Sequence, residues 1–312
     1  MKAKLQNILL APLGWMLHLL AFMPWWWIWL NSDALYFLAY HVLGYRKKIV
    51  RKNLTDSFPE KSEEEIKKIE KQFYRNFTDY FFETVKMLHM SESEMKKRMV
   101  FHDAELVDQA VARGQSVMLY CSHTFNWEWL TSISLWLEAD TLKKAPVHGQ
   151  AYHPLENQWF DRFFLNLRNR FTSCFPSNEV LRIMVGAKRK GQLMIFGFLS
   201  DQHPLPGHTG VITKFLNHPT DFINGTEAIA RKIDMAVLYF NVKKLRRGYY
   251  ECIMAPMFDH AKSQPKDAIT LRYAEMLEAY INEAPSLWMW THNRWKRPVQ
   301  YPDNFNSQNI NQ

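Results

Sequence analysis

Residues 5–32 contain no Asp, Glu, Lys or Arg. No other feature limits this chain so strongly. Twenty-eight consecutive uncharged residues must be buried in lipid or in the protein's own interior, and about 20 suffice to span a bilayer as a helix. The stretch holds five of the chain's 12 Trp: Trp15, Trp25, Trp26, Trp27 and Trp29. Indole rings with polar N–H groups favour the boundary between membrane and water. Pro12 and Pro24 should kink a helix here, and Asn7, His18 and Asn31 add polarity. A cleaved signal peptide competes with this reading, but Trp25–Trp29 occupies the place of the small residues that cleavage needs. A buried core helix is the third reading, though five indoles need partners when buried. The expectation is a membrane-anchoring segment over 1–45, either spanning or lying in the interface. A polar tail is expected over 302–312.

A second apolar stretch, Ala34–Tyr45, precedes the basic run Arg46, Lys47, Lys48, Arg51 and Lys52. If the first stretch spans once, this run outweighs Lys2 and Lys4 and puts the remaining chain in the cytoplasm. A hairpin of both stretches would leave it on that same side. Lys plus Arg exceed Asp plus Glu by 39 − 31 = 8, which suits an anionic membrane or a nucleic acid. Cys121, Cys174 and Cys252 are too few and too scattered for a disulfide scaffold or a zinc site.

Residues 46–301 read as one α/β domain with a mostly parallel sheet flanked by helices. Ser62-Glu63-Glu64-Glu65 is a capping box, and Ile66, Ile69, Phe73, Phe77, Phe81, Val85 and Leu88 follow at helical spacing. Strands are expected at 116–121, 145–151, 172–175, 193–199, 236–242 and 249–254. Helices are expected at 126–137, 154–170, 179–190, 223–233 and 265–284. Residues 200–210 should form a loop. Parallel sheets place chemistry at the carboxyl ends of their strands.

At the first such end stands Ser122-His123-Thr124-Phe125-Asn126-Trp127-Glu128. On an ideal helix, positions five apart differ by about 140° and share no face. At a strand–loop–helix junction Glu128 could fix the tautomer of His123, whose other nitrogen would then take a proton from a hydroxyl. The alternative is a loop histidine bonded to backbone and a surface glutamate. His203, His208 and His218 lack the periodicity that would gather them on a metal.

The strand followed by His-x4-Glu resembles the HX4D/E motif of glycerolipid acyltransferases. The blocks YRKKIVRKNLTDSFPE, YRNFTDYFFETVK, SHTFNWEW, LRNRF, LSDQHP and WMWTHNRWK resemble, in that order, the late acyltransferases of lipid A biosynthesis. The resemblance covers nearly the whole chain. It implies transfer of a fatty acyl group from a thioester, usually on acyl carrier protein, to a hydroxyl of a membrane lipid. It implies no bound cofactor or metal, and makes His123 the general base with Glu128 as its orienting partner. Asn126 and Trp127 are bulky residues to find inside that motif. The resemblance places an important arginine at Arg168 or Arg170, and a second acidic position at Asp201, to brace that arginine or the acceptor. Gln202 and His203 are weaker candidates. Gly225 and Thr226 either shape the site or start a helix. Trp288 is expected in the core, with Arg294 and Lys296 at the surface gripping lipid phosphate.

The expected partners are an anionic membrane lipid and acyl carrier protein, at the cytoplasmic face of a bacterial inner membrane. Acceptors other than a lipid A precursor, such as a lysophospholipid or an amino-acid-containing lipid, remain open at this point. A non-catalytic membrane or nucleic-acid-binding protein is the distant alternative. No RNA-binding aromatic motif or recognition helix supports nucleic acid.

Overall fold

Pro24 decides how the charge-free stretch folds. It has no N–H to continue a helical ladder, and in the computed structural model the stretch divides into helices Lys2–Phe22 and Trp25–Phe37. Residues 2–204 and 210–301 are described, without the side chains of 2–9; the expected tail and His208 lie outside them. The Lys2–Phe22 helix runs through Pro12 without a break. A π-helical turn, Leu38–Val42, ends the second helix. Among the described residues no helix is long and apolar enough to cross a membrane. The reading of a single span is therefore corrected: two successive helices lie against the Glu63–Lys86 helix instead.

Charged residues of the body hold the corner between them. Lys86 Nζ donates to the carbonyls of Ala21 at 2.9 Å and Met23 at 2.8 Å. These groups are orphaned where the first helix stops, and a cation suits the negative end of its dipole. Arg98 lies 3.7 Å over the Trp25 ring, and Ser32 donates to Asp79 at 2.7 Å. Much of the basic run is also engaged internally. Arg46 donates to the Thr291 carbonyl at 2.9 Å, Lys47 sits over Tyr40, and Arg51 pairs with the buried Glu70.

The capping box forms as expected. Ser62 accepts from the Glu65 amide at 3.3 Å, and the Glu65 carboxylate accepts from the Ser62 amide at 2.8 Å. Ile66, Phe73 and Phe77 are buried, but Phe81 is exposed. A second face of the same helix buries Asp79 and Glu83. Apolar periodicity is blind to that face, because its groups are polar and matched by partners elsewhere in the chain.

Nine strands follow among the described residues: β1 (Met99–His102), β2 (Val117–Cys121), β3 (Val147–Tyr152), β4 (Ser173–Pro176), β5 (Met194–Leu199), β6 (Val211–Phe215), β7 (His218–Phe222), β8 (Ala236–Arg246) and β9 (Tyr249–Phe258). Seven form one sheet in the order β1-β9-β8-β2-β5-β3-β4, and β6 with β7 makes a separate hairpin. Every pairing in the large sheet is parallel except β8 with β9. The α/β expectation with a mostly parallel sheet agrees with this. All five residues of β2 are buried, as a strand with neighbours on both edges and layers on both faces requires.

The β6–β7 hairpin had no sequence signal. Its turn residues, Leu216 and Asn217, have φ of 48° and 66°. Such a turn normally announces itself as Asn-Gly or Asp-Gly, and leucine masks it. Tertiary bonds hold it there: the Leu216 amide donates to Glu278 at 2.6 Å, and Asn217 to the Ser57 carbonyl at 3.0 Å. The expected helix at 126–137 is a 3-10 helix, Trp127–Leu135. The helix expected from residue 154 begins at Gln158, where Asn157 accepts from the amides of Trp159 and Phe160.

Candidate active site

β2 and β5 are parallel neighbours with Cys121 opposite Leu199. The ladder extends one further rung, from the Ser200 amide to the Cys121 carbonyl at 3.2 Å. Two chain segments therefore leave the sheet side by side, carrying His123 and Asp201. The Asp201 carboxylate accepts from the His123 backbone amide at 2.9 Å and meets His123 Nδ1 at 2.7 Å. Trp288 Nε1 donates to it at 2.8 Å. Trp288 is held there by an isolated bridge between its backbone and that of Thr124. Ser200, just before Asp201, meets the Thr226 hydroxyl at 3.1 Å, so the start of the Gly225–Ile233 helix braces the loop.

Burial alone would raise the Asp201 pKa. The facing His123 and the three N–H donors outweigh that and hold the carboxyl at about 2, below the ordinary 3.8. A carboxyl depressed on folding stabilises the protein above its unfolded pKa, and that contribution is lost as pH falls toward the folded one. The shift corresponds to roughly 2 kcal/mol. The stability difference between the wild type and Asp201→Asn should thus be widest above pH 4 and narrow toward pH 2. Denaturant midpoints across that range measure it; a gap independent of pH would contradict the assignment.

With Nδ1 engaged, His123 presents Nε2 to the open side, where Gln202 Nε2 lies 3.4 Å away. The histidine side chain is 16% exposed, enough for a substrate group to reach it. Trp127 forms one wall, with its ring edge-on to His123 and stacked on Tyr80 at 4.0 Å.

Glu128 does not orient His123, contrary to the sequence reading. Its carboxylate is buried and takes two bonds from Arg168, Nε at 2.7 Å and Nη2 at 2.6 Å, with Tyr80 donating at 3.3 Å. The reason lies in the chain path. Glu128 opens a 3-10 helix, begun by Asn126 accepting from the Glu128 amide, and its side chain turns toward the last turn of Gln158–Arg168. Asp201 reaches His123 because adjacent parallel strands end together. Burial disfavours the Arg168 cation, and Glu128 more than offsets this, so its pKa is raised. Fork geometry commits Nε and Nη2 to the glutamate and leaves Nη1 for another oxygen.

Of the two candidate arginines, Arg168 stands at this cluster. Arg170 instead donates to the Met87 and Met90 carbonyls beyond the Glu63–Lys86 helix. Arg294 is not at the surface. It is buried and donates to the backbone carbonyl and carboxylate of Asp221, with its guanidinium over Phe222, so it ties the last segment to β7. Lys296 is exposed. His203 abuts Arg297, and His218 stacks on Trp295. Trp288 is buried as expected, but its role as a donor to Asp201 escaped the sequence reading, as did Tyr80. Neither carries a local signal, because each reaches the site from a distant helix or segment.

Cys121 is buried and its thiol pushed well up, which makes it a poor nucleophile. The arrangement therefore offers a proton acceptor, a charge that steadies it, and a guanidinium held by Glu128 of the same His-x4-Glu segment. That set suits activation of a substrate hydroxyl.

Residues 7–297 match the family described as bacterial lipid A biosynthesis acyltransferase. The chain is 24% identical over 307 residues to a lipid A biosynthesis palmitoleoyltransferase of Escherichia coli (strain K12), covering 96% of this chain and 97% of that protein. It is similar to the same extent to a lipid A biosynthesis acyltransferase of Shigella flexneri.

Proposed function

The chain belongs to the bacterial lipid A biosynthesis acyltransferase family, and from that premise we infer that it moves a fatty acyl group from an acyl carrier protein thioester to a hydroxyl of a lipid A precursor, with His123 as general base. The observation that carries this is the His123–Asp201 pair at the ends of β2 and β5. Asp201 holds Nδ1, so Nε2 takes the acceptor proton as the hydroxyl oxygen attacks the thioester carbon. The C–O bond forms, the C–S bond breaks, and the proton passes to the departing sulfur. The products are the acylated lipid and the free carrier thiol. Arg168 meets a substrate phosphate or the developing oxyanion through Nη1, steadied by Glu128. No protein nucleophile is required.

The lipid acceptor sits in a membrane, and the N-terminal helices offer a surface for one. Trp15 is 79% exposed, and Leu19, Phe22, Trp26, Leu30 and Phe37 are each more than half exposed. Apolar faces of this extent on packed helices suit immersion at the lipid boundary rather than a span. This supports an interfacial enzyme on the cytoplasmic face of the inner membrane, where basic residues such as Lys296 meet anionic headgroups.

The test is direct. Purified full-length protein is given acyl carrier protein loaded with radiolabelled fatty acid, and a lipid A precursor in mixed vesicles. Label is expected in a lipid carrying one more acyl chain. Release of free fatty acid without lipid product would make it a thioesterase. Transfer to a lysophospholipid in preference to the precursor would move the acceptor class.

A further inference from the structure

Arg247, at the tip of the β8–β9 hairpin, lies 214 positions from Asp33 in sequence, yet the tip is built against the helix that carries Asp33. Arg247 pairs with Asp33 at 2.7 Å, donates to the Trp29 carbonyl and lies over the Trp29 ring. Gly248 has φ of 71°, and a Cβ there would stand 2.8 Å from the Trp29 ring, so the contact admits no side chain. Trp29 and Asp33 form one row of the Trp25–Phe37 helix. Trp26, Leu30 and Phe37, at 65%, 55% and 61% exposure, lie on the adjoining face. The hairpin tip thus flanks the apolar surface that the proposed function places in the lipid boundary.

Its composition suits that position. Leu245 is 60% exposed, an unpaired position near the end of β8 where the register shifts between Lys244 and Arg246, just before the Arg247-Gly248 turn. Its chain neighbours Lys244 and Arg246 line a depression together with Arg75 and Arg247 against Asp33 and Asp79, and Leu245 itself stays outside that lining. The two carboxylates are matched by Lys244 and Arg247. Arg75 and Arg246 are exposed and lie over the Tyr36 and Tyr249 rings instead. An exposed leucine beside the hairpin turn, near two guanidinium groups that have no carboxylate partner among the described residues and next to an apolar helix face, is complementary to the boundary between acyl chains and phosphates.

We propose that the tip of the β8–β9 hairpin is a second membrane contact, with Leu245 entering the acyl boundary while Arg246 and Arg75 meet the phosphates of anionic phospholipids. This rests on the interfacial reading above. Two contacts far apart in sequence fix the enzyme's rotation about the helix axis, which a single amphipathic helix cannot do. The tilt of the β2–β5 strand ends above the bilayer is then set by the fold.

Full-length Leu245→Cys, Leu30→Cys and Lys190→Cys proteins, each carrying Cys174→Ser, are labelled with an environment-sensitive dye. They are mixed with phosphatidylethanolamine–phosphatidylglycerol vesicles. Lys190 is exposed at the turn before β5, at the opposite end of the sheet from the site. Blue-shifted, brighter emission is expected at positions 245 and 30 and not at 190. A response at 30 with position 245 behaving like 190 overturns the hairpin contact and leaves the interfacial helix standing. Silence at both 30 and 245 overturns the interfacial reading, and this inference with it. Arg246→Ala should also weaken partitioning into these vesicles about fivefold, and not into phosphatidylcholine vesicles. Unchanged partitioning overturns the assignment of Arg246 to the phosphates.

Discussion

Replacing His123 with alanine is expected to lower acyl transfer by at least about 10³-fold, and Asp201→Asn by about 10²–10⁴-fold, with both proteins folded. His123→Ala removes the imidazole whose Nδ1 meets Asp201 and whose Nε2 is left for the acceptor. Asp201→Asn keeps the shape and loses the charge. The asparagine still has an oxygen to accept from Nδ1–H, but it can equally turn its NH₂ toward the ring and favour the wrong tautomer. It also no longer steadies the imidazolium that forms when the acceptor proton arrives. The readout that separates this from a merely structural role is the split between kcat and KM: Asp201→Asn should lower kcat with little change in KM for either substrate. Wild-type transfer by His123→Ala would end the proposed mechanism. An unchanged kcat in Asp201→Asn would remove Asp201 from it.

Glu128→Gln is expected to act first on stability, by about 3 kcal/mol. It leaves the Arg168 guanidinium, whose side chain is 20% exposed, with its charge unpaired against a neutral amide. Removing one partner of a largely buried ion pair costs far more than removing both, so Glu128→Gln/Arg168→Met should recover much of the loss. Denaturant midpoints of the two single variants and the double variant measure this. Additive losses would contradict the pairing. Activity gives a second comparison. Glu128 is bonded to Arg168, so Glu128→Gln should lower the rate through a misplaced Arg168 and should cost little more once Arg168 is methionine. A further large loss of kcat from Glu128→Gln in the Arg168→Met background, with none from Asp201→Asn, would restore the orienting role that the His-x4-Glu spacing suggested.

That spacing shows where sequence reasoning stopped. His123 and Glu128 stand out at the end of an apolar strand, whereas Asp201, and Arg168 as one of two arginines with Arg170, become candidates through the family resemblance. Their pairing was not legible in the sequence. Glu128 is near His123 along the chain, whereas Asp201 is 78 positions away and depends on β5 lying beside β2. Arg294 illustrates the same limit for charge. An arginine in a basic ending looks solvated, yet Asp221, on a hairpin whose turn is masked by Leu216, draws it inside.

Local chemistry thus accounts for much of this protein. The uncharged Trp-rich stretch, the capping box at Ser62 and the apolar strand before His123 depend on short-range patterns, and each produced a recognisable element. Strand order, the partner of His123 and the fate of each cation depend on contacts between residues far apart in the chain. No local pattern encodes these, because a carboxylate or guanidinium has the same sequence appearance whether it faces water or a buried counter-charge. The first stretch lies between the two cases. Its lack of charge was plain, and so was the kink expected at Pro24. Its packing as two helices against the body required Lys86, Arg98 and Arg247 to arrive from elsewhere and take up the ends and rings it exposed.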